Sequence, residues 1–264
     1  MPGKSERSRE TARRVRDGLR ARILGDGYGP GPLPPESDLS REFAVSRNTI
    51  RYVLDLLRAE GIVERRQGAG TFVVATKRTQ DLSRLQGLAE EFQTPDISVA
   101  NTVLRAEVTS AQTTVAQRLQ IPVGAPVVFL ERIRAVAGEP VSLDATYLLE
   151  EYGTPLLGLD LANTDVFRLL EETFDMRLGE ASLTIEAVGS DPTVSDALGI
   201  AVHSPLLLIE RLTLTEDGRP IDLEYLRIRG DRIALAGHVR RSADMQLGNL
   251  TTRRDRERAH TECC

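Results

Sequence analysis

The first part of the chain carries an apolar stripe with helical spacing. Ala12, Val15, Leu19 and Ile23 recur at steps of three and four residues, as in a helix that buries one face. The pattern predicts a helix from about Ser8 to Leu24. Residues that end helices follow it, namely Gly25, Gly27, Gly29, Pro30, Gly31 and Pro32.

Two further helices are predicted between residues 36 and 60. The first spans about 36–43, and Leu39 faces inward on it. The second begins after Ser46, whose hydroxyl suits a helix N-cap, and ends before Gly61. Its inward face consists of Ile50, Val53, Leu54 and Leu57.

A short β-hairpin is predicted after the third helix. Segments 62–65 and 71–74 are β-prone, and the turn between them, 66–70, contains two glycines. Helices followed by such a hairpin are typical of a winged helix-turn-helix. The predicted boundaries are 8–76 for this domain, about 36–55 for the helix-turn-helix and 62–74 for the wing.

The rest of the chain contains an internal repeat. A segment from Val115 resembles a segment from Val194, and each is interpreted as a short helix, a strand, a glycine turn and a returning strand. Matched positions include Leu119 with Leu198, Pro126 with Pro205, Glu131-Arg132 with Glu210-Arg211, Gly138 with Gly218 and Pro140 with Pro220. Between the copies, 165–174 has the apolar spacing of a helix.

These patterns predict an α+β protein of two domains. The C-terminal domain, over 85–241, is expected to hold one antiparallel sheet of two related hairpins, backed by helices. A polar linker over 77–84 is expected to precede it. The tail, 242–264, is expected to be disordered.

The charge is unevenly distributed between these two parts. The chain has a net charge of -5. Residues 1–75 hold 14 Lys+Arg and 10 Asp+Glu, whereas residues 76–264 hold 20 and 29. A cationic head on an acidic body is consistent with an N-terminal nucleic-acid interface.

Composition argues against several other classes of protein. Cys263 and Cys264 are adjacent at the C-terminus and cannot cross-link distant parts of the fold by a disulfide. The histidines, His203, His238 and His260, are scattered along the chain. We therefore expect no metal and no cofactor. The sequence shows no long apolar run and no secretory signal, so we expect a cytoplasmic protein without a membrane span.

The start of the predicted third helix has the chemistry of a recognition helix. Arg47 and Arg51 lie four residues apart on its outward face, where a guanidinium can bind guanine or phosphate. The alternative to a DNA-contacting role is that this start of the helix is only capped and solvated. The candidate DNA contacts are Ser46, Arg47, Asn48, Thr49 and Arg51 in this helix, with Arg66, Gln67, Gly68 and Gly70 in the wing.

The segment LPPESDLSREFAVSRNTIRYVLDLLRAEGIVERRQGAGTFV resembles the DNA-binding domain of the GntR family of regulators. The resemblance implies DNA-contacting roles for Arg47, Arg51 and Gly68. The chain departs from the family pattern at Ser37 and Ala69, where basic residues are common, and at Tyr52.

The C-terminal part resembles the effector-binding UTRA domain of the HutC subgroup, whose fold is similar to chorismate lyase. The resemblance rests on PVVFLERIRAVAGEPVSLDATYL, DVFRLLEETFDMRL and PLLLIERLTLTEDGRPIDLEYLRIRGDR. It implies that Arg132 and Arg134 hold an anion and that Asp144 and Asp222 accept hydrogen bonds from a ligand. The alternative is that these strand residues pair with each other across the sheet.

Three positions depart from the pattern of sugar-phosphate binders in that subgroup. Phe167 and Ile228 replace hydroxyl-bearing residues, and Asp165 lies where a serine is usual. A carboxylate there would repel phosphate. The ligand therefore stays open, with a less anionic or more apolar molecule included.

The sequence thus predicts a ligand-responsive transcriptional regulator. The resemblance implies a homodimeric repressor that binds double-stranded operator DNA with two-fold symmetry and is released by a small-molecule effector. No catalytic residues are expected, because the sequence shows no nucleophile-base pair and no phosphate loop. Two alternatives stay open: an enzyme with a chorismate-lyase-like fold, and a constitutive DNA-binding protein without an effector.

Overall fold

A computed structural model describes residues 4–25, 27–28, 31–74 and 77–239. Its N-terminal unit contains three helices and a hairpin, in the order that the sequence predicts. The helices are α1 (Lys4–Leu24), α2 (Glu36–Glu42) and α3 (Arg47–Ala59), and the antiparallel hairpin is β1 (Val63–Arg66) with β2 (Gly70–Val73).

The apolar stripes of the three helices form the core of this unit. Leu19 of α1, Leu39 of α2, and Ile50, Val53 and Leu57 of α3 are fully buried. Each lies at a position that helical periodicity assigned to the inner face. The core therefore fixes which side of α3 faces the solvent.

The C-terminal unit is a six-stranded antiparallel sheet with helices. Its elements are β3 (Arg78–Asp81), α4 (Leu88–Phe92), β4 (Val99–Ser110), α5 (Thr113–Leu119), β5 (Pro126–Val136), β6 (Glu139–Leu149), α6 (Glu150–Leu156), α7 (Val166–Phe174), β7 (Leu178–Gly189), α8 (Pro192–Leu198), β8 (Pro205–Thr215), β9 (Pro220–Arg229) and β10 (Ile233–Ala236). The sheet order is β4-β5-β6-β9-β8-β7.

The predicted repeat is confirmed as the centre of this sheet. Its two copies form α5-β5-β6 and α8-β8-β9, and their hairpins meet where β6 pairs with β9. The mixed α+β class is likewise confirmed. Both edge strands, β4 and β7, belong to neither repeat hairpin and expose apolar side chains, among them Leu104, Val108, Leu183 and Ile185.

The structure differs from the sequence prediction over 77–84. Within the predicted polar linker, Arg78–Asp81 forms β3, which pairs in parallel with β10 near the end of the described chain. Backbone hydrogen bonds hold the pair, from Arg78 N to Arg232 O (2.9 Å) and from Leu82 N to Ala236 O (2.7 Å). The polar side chains of this segment gave no strand pattern, because the pairing is made by the backbone.

The predicted tail 242–264, with Cys263, Cys264 and His260, lies outside the described residues. Within the described residues, no helix is long and apolar enough to cross a membrane.

Candidate DNA interface and effector site

The first turn of α3 presents polar side chains to the solvent. Ser46 is the N-cap, and its hydroxyl accepts a hydrogen bond from the Thr49 backbone N–H (3.1 Å). Ser46 Oγ also lies 2.9 Å from Thr49 Oγ1, so these two hydroxyls are engaged with each other. Arg47, Asn48 and Arg51 are exposed. A duplex that approaches this turn meets two guanidiniums and an amide.

Arg51 is held in place by a residue of the preceding helix. Its Nε lies 2.7 Å from Glu36 Oε2, across the turn between α2 and α3. The Arg51 side chain remains 63% exposed. The pair therefore orients the guanidinium without removing it from the surface.

One of the two arginines of the wing, Arg66, folds back on the hairpin. Arg66 lies over the ring of Phe72 (4.4 Å to the centroid) and donates from Nε to Glu64 (2.7 Å). Gln67 and the glycines Gly68 and Gly70 at the tip are exposed. Gly68 adopts φ +75°, a conformation that favours glycine.

Most of the predicted effector residues lie near one another against one face of the sheet, and three of them, Arg134, Asp144 and Asp165, form ion pairs. Arg134 pairs with Asp165 and lies 3.5 Å from Asp144, and its Nε donates to Asn101 Oδ1 (3.1 Å). The Asp165 carboxylate also accepts from the Ala89 backbone N–H (2.8 Å). For Arg134 and Asp144, the pairing across the sheet that was the alternative to ligand binding is therefore present.

Arg132 and Arg211 are related by the internal repeat but have different partners. Arg211 pairs with Glu224, directly opposite it on β9, and lies over the Phe167 ring (4.6 Å). Arg132 lies opposite Asp144 in the register, yet its Nη1 donates to the carbonyl of Leu161 (3.3 Å). The repeat thus places two guanidiniums on one face, and the surroundings make their roles unequal.

The buried charges of this face perturb each other. Burial, and then repulsion from Arg134, lowers the pKa of Arg132 to about 10. Burial, and then repulsion from Glu224, raises the pKa of Asp222 well above its ordinary value. Burial likewise raises the pKa of Asp144. Among the described residues, Arg132 Nε, Asp144 Oδ1 and Asp222 Oδ1 have no hydrogen-bond partner.

Two of the predicted effector residues, Ile228 and Phe167, pack against other side chains. Ile228 lies apart from the charges, in an apolar cluster with Leu88, Phe92 and Val136. Phe167 lies under the Arg211 guanidinium and lines a gap of about 10 Å³ among the charges. The charged face itself therefore leaves little free space.

A larger cavity lies beside this face, under the segment 82–87 that joins β3 to α4, which we call the strap. Its volume is about 260 Å³. It adjoins the charged face at Arg211. The lining also includes Asp81 and Arg84 from the β3-strap region, Leu183 from β7, and Ile209 and Leu226 from the sheet.

Sequence reasoning missed Arg211, Glu224 and the cavity. The repeat contained the signal for Arg211, because it aligns Glu131-Arg132 with Glu210-Arg211. No local pattern marks the strap as the roof of a cavity. In the part of the chain that the structure describes, no group of three or more His, Cys, Asp and Glu residues could hold a metal ion.

Comparison with protein-family models finds two matches along the chain. Residues 11–73 match the model described as "Bacterial regulatory proteins, gntR family". Residues 96–234 match the UTRA domain. The first match covers the three-helix unit, and the second covers the six-stranded sheet.

Curated relatives are similar over most of both chains. The HTH-type transcriptional regulator Rv0792c of Mycobacterium tuberculosis is 31% identical and aligns over 85% of this chain and 84% of its own. GmuR of Bacillus subtilis, also an HTH-type transcriptional regulator, is 28% identical over 84% and 96%. The transcriptional repressor PhnF of Mycolicibacterium smegmatis is 29% identical over 87% and 91%.

A solved structure shares the whole architecture. The crystal structure of PhnF from Mycobacterium smegmatis superposes with a TM-score of 0.63 at 26% identity, over 86% of this chain and 100% of that one. These names are those of transcriptional regulators and not of enzymes, which decides against the lyase alternative.

Proposed function

The chain belongs to the gntR family of bacterial regulatory proteins and carries a UTRA domain, and from this premise we propose that it is a homodimeric repressor released from a two-fold symmetric operator by a small molecule. It is a ligand-responsive DNA-binding regulator by family. The sign of regulation, the dimer and the operator symmetry are the proposed part, as is a cytoplasmic location. The name of PhnF as a repressor supports the sign.

The observation that carries the proposal is the division of α3 into two faces. Ile50, Val53 and Leu57 are fully buried, whereas Arg47 and Arg51 project from the opposite side of the same helix. A helix can enter the major groove only when its core-facing stripe leaves one polar face free. We assign base or phosphate contacts to Arg47, Asn48 and Arg51, and further contacts to Arg66, Gln67, Gly68 and Gly70 of the wing.

The dimer is proposed from the site size and from the edges of the sheet. One recognition helix reads too few base pairs to specify a genomic site, so two copies are needed. The edge strands β4 and β7 expose Val108 (47%) and Ile185 (41%). Unpaired strand edges with apolar side chains favour association with another strand.

The effector is proposed to bind in the cavity under the strap and against the charged face beside it. Ligand cavities combine apolar walls with a few polar groups, and here Leu183, Ile209 and Leu226 lie beside the Arg211-Glu224 pair. The strap continues into β3, which leads back toward the DNA-binding unit. A ligand under the strap is thus placed to change the spacing between the two DNA-binding units of a dimer. A preference of a few kcal/mol for a spacing that does not fit the operator suffices to release DNA.

Selection of DNA from a random pool tests the function. The full-length protein should enrich a sequence with two-fold symmetry, and a metabolite that raises the melting temperature should also release that DNA. An Arg47→Ala, Arg51→Ala protein should enrich nothing, while remaining folded. Enrichment of an asymmetric sequence, or of the same sequence by the double variant, would contradict the proposal.

A further inference from the structure

Asp165 occupies the N-cap of α7, but its carboxylate serves other groups. Within the described residues, its side chain makes no capping hydrogen bond to its own helix. Instead, Oδ2 accepts from the backbone N–H groups of Ala89 (2.8 Å) and Glu90 (3.2 Å), and Oδ1 pairs with Arg134. The carboxylate is almost fully buried.

The groups around this carboxylate are those that bind anions in proteins. Two backbone amides of α4 and the Arg134 guanidinium converge on it. A second guanidinium, Arg132, lines the same gap of about 10 Å³, is 1% exposed, and has no partner for its Nε among the described residues. The arrangement is an anion site whose anion is part of the chain.

The fit around Asp165 is close. A Cβ atom at Gly87 would collide with the Asp165 carboxylate, so the end of the strap lies directly against it. The neighbouring gap is too small for a phosphate or a carboxylate group. An external anion could therefore enter only by displacing the Asp165 side chain.

We infer that Asp165 is a built-in anion and a specificity-determining residue, so that the effector places no phosphate or carboxylate at Arg134 and the site accepts a ligand whose end there is uncharged. The inference deepens the proposed function, since it concerns the effector site of that regulator. Its physical basis is twofold. Asp165 neutralises Arg134 and repels a second anion, and it also fills the space that the anion would need.

Chemical rescue tests the inference on the full-length protein without DNA. Asp165→Gly removes the equivalent of an acetate ion and leaves glycine at an N-cap, where it is well tolerated. Acetate added at constant ionic strength, against chloride, should raise the melting temperature of this variant saturably, by about 3 to 6 °C at ten times its Kd. The parent should show no such response to acetate or to inorganic phosphate.

Two matched variants separate the contributions of space and charge. Asp165→Asn removes the charge but keeps the volume, so it should gain no acetate response. Adding Arg134→Gln to Asp165→Gly should abolish the response. If Asp165→Gly does not fold, Asp165→Ala, which lacks only the carboxylate group, with formate as the probe gives the same test.

The outcomes that would overturn the inference are distinct. A saturable phosphate response of the parent that Arg134→Gln removes would show that Asp165 does not block the site. An acetate response no larger in Asp165→Gly than in Asp165→Asn would show that the site does not bind anions. Neither result depends on operator binding, so a failed DNA selection and a failed rescue can be told apart.

Discussion

Arg51 Nε lies 2.7 Å from Glu36 Oε2, so α3, the proposed recognition helix, shares a charged pair with the helix before it. Both partners are at least partly exposed, and such pairs contribute only about 0.2 to 1 kcal/mol to stability. The main effect of the pair is therefore to orient the Arg51 side chain and not to stabilise the fold. The pair holds a flexible cationic side chain on the exposed face of α3, the face that we propose contacts DNA.

Replacing Arg47 or Arg51 by alanine should weaken operator binding by about 1 to 3 kcal/mol each, if each makes a bidentate base contact. Folding should change little, because both side chains are exposed. Titrations at matched salt concentration measure the effect. Arg58→Ala, at the far end of the same helix, is the matched control and should bind like the parent.

Glu36→Gln should lower specificity while raising affinity for random-sequence DNA. The substitution removes a negative charge near the phosphates and frees Arg51 from its partner. We expect a gain of about two- to fivefold on non-specific DNA, the size of an exposed charge interaction. Equal changes on operator and random DNA would show that the pair does not orient Arg51.

Asp222→Asn should stabilise the protein increasingly as pH rises. Burial, and then Glu224, raises the pKa of Asp222 above its unfolded value of about 3.9. The folded state therefore holds this proton more tightly than the unfolded state does. The free energy of unfolding of the parent falls as pH rises from the unfolded pKa to the raised folded pKa. The variant has no carboxyl group to ionise, so it avoids this loss of stability. Its amide oxygen can still accept the hydrogen bond from the Thr213 hydroxyl.

Thermal melts between pH 4 and pH 8 measure this difference against the parent. Asp217→Asn is the control with the opposite sign, because a hydrogen bond from Thr215 lowers the pKa of Asp217. That carboxylate stabilises the fold above its unfolded pKa, so its removal should matter at neutral pH and not at low pH. A pH-independent effect of Asp222→Asn would contradict the assignment.

Charge on one edge of the sheet should dissociate the dimer. Val108→Lys on β4 and Ile185→Lys on β7 each place an ammonium on an exposed strand edge without entering the core. Sedimentation of the full-length parent at micromolar concentration should show one dimeric species, and one of the two variants should sediment as a monomer. That variant should also lose most of its operator affinity, because the second head is no longer tethered.

If neither variant changes the sedimentation, the two copies pair elsewhere. A parent that is monomeric and still binds a full operator tightly would contradict the dimer itself.

The sequence by itself determined the features that depend on local period and local chemistry. The inner faces of α1 and α3 follow from apolar spacing, because a helix brings residues three and four apart onto one side. Ser46 marked the start of α3 through its capping hydroxyl. The repeat predicted the central hairpins, since similar segments fold alike in the same sheet.

Only the tertiary structure decided which charged side chains meet. Arg132 and Arg211 are equivalent in the repeat, yet Arg211 binds Glu224 and Arg132 binds backbone carbonyls. Asp165 meets Arg134 across 31 residues, and it meets the amide of Ala89 across 76. Contacts at such separations depend on how elements pack, and no local pattern encodes them. The same holds for β3, whose pairing with β10 is made by backbone groups that every sequence carries.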